Sequence, residues 1–95
     1  MALLNEQQIT ESIKTFLPEW EYNNTFISKE FKFRNFVEAF AFMTAVALEA
    51  EKMDHHPDWS NVYNRVAVKL NTHSEGGVTE KDIELAKRME RIYGR

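Results

Sequence analysis

Apolar residues recur along the chain at two spacings, and the switches between helical and alternating periods mark out its elements. Leu4-Asn5-Glu6-Gln7-Gln8-Ile9 opens a helix. Asn5 suits the N-cap, Gln8 stands at the capping-box position, and Leu4 and Ile9 are spaced to staple the first turn. Ile9, Ile13, Phe16 and Leu17 continue at helical spacing until Pro18 stops it. Residues 19–22 and 25–33 then flank Asn23-Asn24, a pair tolerant of positive φ and suited to a two-residue hairpin turn. In the second of these strands Ile27, Phe31 and Phe33 share a face, interrupted by Lys29.

Residues 34–53 hold no Gly or Pro, and their apolar side chains fall into two groups on a helical wheel. Phe36, Phe40, Met43 and Ala47, widened by Val37 and Leu48, form the stripe expected to face the core. Phe42, Val46 and Met53 lie on a flank beyond the roughly 100° that one core-facing stripe needs. A chain of 95 residues has little material to bury a helix all round, so the outer flank is expected to meet another subunit.

Residues 59–63 and 66–72 predict a second hairpin around Asn64-Arg65, with Val66, Val68 and Leu70 on one face and His73, of opposite parity, at the strand's end. Glu75-Gly76-Gly77 breaks the pattern. Thr79 with Asp82 gives another capping box, opening a helix whose buried side is Leu85, Ala86, Met89, Ile92 and Tyr93. The order α-β-β-α-β-β-α predicts an α+β, two-layer sandwich, with three helices on one face of a four-stranded antiparallel sheet. Residues 1–95 are read as a single domain.

Composition narrows the function classes. A hydrophobic fraction of 43% with 28% charged residues is ordinary for a globular chain. The net charge of −3 offers no clustered cationic footprint for a phosphate backbone, which argues against direct nucleic-acid binding. The lack of cysteine removes disulfides, thiolate nucleophiles and Cys-ligated zinc together. No run approaches the roughly 20 apolar residues of a membrane span, and MALLNEQQIT lacks the basic and long apolar segments of a signal peptide. The default compartment is therefore the cytoplasm.

The candidate chemistry sits in Glu51-Lys52-Met53-Asp54-His55-His56-Pro57-Asp58-Trp59 and in His73 and Asp82. Glu51 falls about 60° from the centre of the stripe assigned to the core, which predicts an inward carboxylate. Pro57 restricts His56 to extended backbone and ends the helix, holding both imidazoles on a loop. His73 arrives from a strand end and Asp82 from a first helical turn. Asp82 is explained by capping alone, and a helix C-terminus accounts for His55 or His56 through the dipole; together the groups predict a shared polar pocket. Zinc and acid/base chemistry both stay open on spacing, although no i,i+4 histidine pair is present and adjacent histidines in extended chain point apart. Imidazoles beside an apolar wall, to which Trp59 would contribute, suit proton transfer on a neutral heterocycle. No Gly-rich phosphate loop or serine-nucleophile elbow appears.

The segment from Glu51 to Trp59, with Asn61-Val62-Tyr63-Asn64, Leu70-Asn71-Thr72-His73, and Gly77-Val78-Thr79 followed by Asp82, resembles the pterin-4a-carbinolamine dehydratases. Phe31-Lys32-Phe33 and Phe40-Ala41-Phe42-Met43 extend the likeness over essentially the whole chain. The resemblance implies dehydration of 4a-hydroxytetrahydrobiopterin to quinonoid dihydropterin, the recycling step after aromatic amino acid hydroxylation. It implies His55, His56 and His73 as catalytic residues, with Glu51, Asp54, Pro57, Trp59 and Asp82 around the substrate. It also implies no metal and no cofactor, and a dimer or tetramer. Some members of that family serve as dimerisation cofactors of a homeodomain transcription factor, so a protein-binding role stands beside the enzymatic one.

Overall fold

In the computed structural model, which describes residues 2–94, the capping signals fall where the sequence places them. Asn5 Oδ1 accepts from the Gln8 backbone N–H at 2.8 Å and Gln8 Oε1 accepts from the Asn5 N–H at 2.9 Å, opening α1 (Glu6–Phe16). Then follow β1 (Glu21–Asn23), β2 (Phe26–Lys32), α2 (Phe36–Met53), β3 (Asp58–Val62), β4 (Arg65–Leu70), a 3-10 turn (His73–Glu75) and α3 (Glu80–Tyr93). The sheet is antiparallel throughout, in the order β1-β2-β4-β3. Three helices cover one face of it, as the element order predicts, giving the two-layer α+β sandwich. Val66, Val68 and Leu70 of β4 alternate inward against Ile27 and Phe31 of β2, and all five are buried.

Several expectations are corrected. The first hairpin turns at Asn24-Thr25 instead of Asn23-Asn24, with Asn24 in the left-handed region at φ 63°. The second turns at Tyr63-Asn64 instead of Asn64-Arg65, and within it the Asn64 Nδ2 donates to the Phe33 carbonyl at 2.9 Å. Tyr63 takes the left-handed conformation, φ 50°. β1 begins only at Glu21, since the Trp20 N–H is taken by the Leu17 carbonyl, and β4 ends at Leu70, beyond which Thr72 forms a single bridge to Gly77. His73 therefore opens the 3-10 turn and is not a strand residue. Phe16 is exposed, with the Lys87 ammonium 3.8 Å from its ring centroid.

The two apolar groups on α2 are real, but their sides are exchanged. Ala39, Phe42, Val46 and Ala50 are buried, whereas Phe36, Val37, Phe40 and Leu48 lie exposed on the outer side. Small residues at 39 and 50 let α2 approach its neighbours closely, while Phe42 packs at a tilt on Phe31, 4.7 Å between centroids. The interruption at Lys29 is also explained. Its side chain is 8% exposed beneath α3, where Nζ meets Glu90 Oε2 at 2.5 Å and lies 4.5 Å from the Phe31 ring centroid. Glu90 Oε2 accepts as well from the buried Trp20 indole at 2.8 Å.

Candidate functional site

The site begins where α2 ends. Asp54 adopts φ 52°, ψ 44°, the left-handed conformation common at helix C-termini, and its N–H and that of His55 bond back to the Ala50 carbonyl. The chain leaves the helix extended into Pro57 and β3, so successive side chains point to opposite sides. His55 turns inward and is buried; His56 turns outward and is exposed.

His55 Nε2 lies 2.5 Å from Asp82 Oδ1. Asp82 is fully buried in the first turn of α3, where its Oδ2 accepts from the Thr79 backbone N–H at 2.8 Å and from the Thr72 hydroxyl at 2.9 Å. Capping thus explains only half of Asp82; its other oxygen belongs to His55. Thr72 Oγ1 and Thr79 Oγ1 are 2.7 Å apart and both residues are buried. Among the described residues no buried side-chain nitrogen or oxygen lacks a partner. A fully satisfied buried polar network of this kind holds its members in one geometry.

The second pair is His56 Nε2 with Glu51 Oε1 at 2.8 Å. It differs in surroundings from the first: side-chain exposure is 59% for His56 and 80% for Glu51. The expectation of an inward Glu51 is thereby corrected. It continues the outer side of α2, and the expectation of an inward carboxylate follows from assigning that side to the core. Glu51 lines a groove between α2 and α3 with Leu48, Lys52, Arg88 and Ile92.

Trp59 is half-buried against the core opposite Val68, and Pro57 is half-buried between His56 and β3. Asp54 and His73 are exposed and make no side-chain hydrogen bond to the other site residues among those described. The structure therefore joins two imidazole–carboxylate pairs, His55 with Asp82 and His56 with Glu51, and leaves His73 and Asp54 outside their hydrogen bonding. Among the described residues no three His, Asp or Glu side chains are placed to share a metal ion. Sequence reasoning missed Thr72 and Thr79 as site residues. Thr79 carried a capping signal and Thr72 only its place before His73, and neither reveals a contact with Asp82.

Known proteins agree on what such a chain is. A family model described as "Pterin 4 alpha carbinolamine dehydratase" matches residues 2–92. A Mesorhizobium japonicum protein, provisionally named a pterin-4-alpha-carbinolamine dehydratase, is 56% identical over 93 residues, covering 96% of this chain and 94% of its own. A Prochlorococcus marinus protein with the same provisional name is 48% identical over 92 residues, covering 97% and 96% respectively. The crystal structure of a Brucella melitensis protein described as a transcriptional coactivator/pterin dehydratase superposes with a TM-score of 0.91 at 47% identity, covering 96% of this chain and 98% of that one. With its fold, its histidine segment and these relatives in accord over nearly the full length, the chain belongs to the pterin-4a-carbinolamine dehydratase family.

Proposed function

We propose that this protein dehydrates 4a-hydroxytetrahydrobiopterin to quinonoid dihydropterin and water, the step that returns the oxidised pterin to use after aromatic amino acid hydroxylation. The observation that carries this reading is the adjacent pair of imidazoles, each bound to its own carboxylate, one buried and one open to solvent. Expelling water from C4a requires a proton delivered to the 4a-hydroxyl while N5 gives up its proton and the C4a–N5 double bond forms. One proton is gained and one lost, so no co-reactant is needed. Such chemistry wants an acid and a base in unlike surroundings; the exposed His56–Glu51 pair offers one of them, and the buried His55–Asp82 pair offers a fixed imidazole beside it to hold the hydroxyl.

His56 and His73 are assigned the proton transfers, and His55 binds or assists the hydroxyl. Glu51 orients His56, and Asp82 orients His55. Asp54, Pro57 and Trp59 are assigned to the pterin's surroundings. Stopped-flow decay of 4a-hydroxytetrahydropterin tests the reading. The protein accelerates decay, and His56→Ala loses about 10²–10⁴-fold of that acceleration while keeping its circular dichroism. A folded wild-type protein without effect on the decay refutes the dehydratase, and full activity in His56→Ala refutes the role of His56.

The outer side of α2 supports a second role compatible with the first. Phe36, Val37, Phe40 and Leu48 are 49%, 74%, 56% and 63% exposed along one helix. Such a surface is proposed to associate with another copy of the chain, or with a transcription regulator, in keeping with the word coactivator in the Brucella relative's description. Sedimentation at micromolar concentration is expected to show a dimer or tetramer that Phe40→Glu dissociates. A wild-type monomer counts against self-association.

A further inference from the structure

The hydrogen bonds around Asp82 can be followed proton by proton. A carboxylate only accepts. Asp82 Oδ2 is occupied by the Thr79 N–H and the Thr72 hydroxyl, and Oδ1 by His55 Nε2, so Nε2 must carry a hydrogen. Thr72 spends its one hydroxyl proton on Asp82, so the 2.7 Å contact between the threonines runs from Thr79 to Thr72. Thr79 Oγ1 accepts in turn from the Lys81 backbone N–H at 3.3 Å. Donation is thus one-directional from the start of α3, through Thr79 and Thr72, into Asp82. Thr79 and Asp82 are 0% exposed and Thr72 and His55 8%, so the two central members have no bulk water as an alternative partner. His55 Nδ1 makes no hydrogen bond among the described residues, yet it is not a sealed-off buried atom. It is the ring position left for a ligand.

We infer that Thr72 is a positioning residue of the site, and that the Thr79–Thr72–Asp82 chain holds neutral His55 as the Nε2–H tautomer. His55 then meets its ligand as a hydrogen-bond acceptor through Nδ1. The ligand's identity rests on the dehydratase reading: an acceptor there would take a hydrogen bond from the 4a-hydroxyl or from N5–H of the pterin. The tautomer itself does not depend on that reading.

The test is long-range ¹H–¹⁵N correlation of the imidazoles of the full chain without substrate. It is run about two units above the ordinary histidine pKa of about 6.5, with His55 assigned by its absence from His55→Gln. The wild-type protein is expected to show His55 protonated on Nε2 and unprotonated on Nδ1. Thr72→Val, close in volume but without the hydroxyl, keeps the tautomer, because Asp82 Oδ1 still only accepts, but loosens the carboxylate that orients His55 and lowers kcat about tenfold, and Thr72→Ser restores it. Asp82→Asn, keeping its carbonyl on the Thr79 N–H, must turn its amide toward His55 and convert it to the Nδ1–H tautomer. A wild-type His55 protonated on Nδ1 overturns the inference without any variant. So does an unchanged tautomer in folded Asp82→Asn, and an unchanged kcat in folded Thr72→Val overturns the positioning role of Thr72. Failure of the dehydratase assay would leave these spectra unaffected, so the two readings fail separately.

Discussion

Removing Glu90 and removing Lys29 should have very different consequences, although the two form one ion pair. Lys29 projects from the inner face of β2 with 8% of its side chain exposed, whereas Glu90 on α3 is 30% exposed. Glu90→Leu strands the ammonium under α3, with Glu19 at 3.7 Å as the nearest remaining carboxylate, and takes the acceptor from the buried Trp20 indole. Breaking a buried pair from one side costs about 3–5 kcal/mol and an orphaned buried donor about 1–3 kcal/mol. Partial exposure of Glu90 and the reach of Glu19 reduce the first figure, and about 3–5 kcal/mol for both together is a fair total. Lys29→Met keeps a long apolar stem against Phe31 and leaves Glu90 solvated and bound to Trp20. Its lost charge-assisted bond is offset by an ammonium that no longer has to be desolvated, so its cost should stay within about 1 kcal/mol. Urea titration followed by tryptophan fluorescence measures both variants. With m of about 1–3 kcal/mol/M, Glu90→Leu moves the midpoint down by about 1–5 M and Lys29→Met moves it little. The double variant should recover much of the loss. Equal destabilisation by the two single variants would refute the assignment of the cost to a stranded ammonium.

Phe31, fully buried and in contact with the Trp20, Phe42 and Tyr93 rings, should lose about 3–5 kcal/mol on replacement by Ala, read as a lower urea midpoint at unchanged m. Glu38 should titrate below the usual glutamate range, because its carboxylate accepts from the Arg34 side chain and then from the Arg34 backbone N–H. A depressed folded-state value means that this contact favours the fold above the ordinary glutamate pKa and ceases to do so as pH falls through the folded one. Carboxyl NMR titration checks it, and salt should shrink the depression because the pair is exposed.

The order of elements, both capping boxes and the inward face of β4 could be read from sequence because each is set by residues within a few positions of one another. The orientation of α2 could not. Phe36 and Phe40 are larger than Ala39 and Ala50, and a helical wheel ranks them as the better core residues; close packing of the helix on its neighbours selects the small ones instead. The error passed directly to Glu51, which shares the side of Phe40 and Leu48. The turns differ by one residue from the pattern because Asn23 and Asn24 both tolerate turn conformations, and because the left-handed position of the second turn is taken by Tyr63, which no turn preference favours. The histidine segment was recognisable as a unit. The bond from His55 to Asp82 spans 27 positions and depends on how α3 lies against the end of α2, which no local pattern encodes.

The alternation of His55 and His56 also bears on how such a site can be moved or rebuilt. Two identical side chains become unlike parts through odd–even position alone, and that parity is set by the left-handed Asp54 before them and by Pro57 after them. Inserting one residue between Asp54 and His55 would exchange the sides of the two rings without altering either. A graft of this dipeptide onto another scaffold must therefore carry its two flanking residues as punctuation, or it will transfer the letters and lose the reading frame.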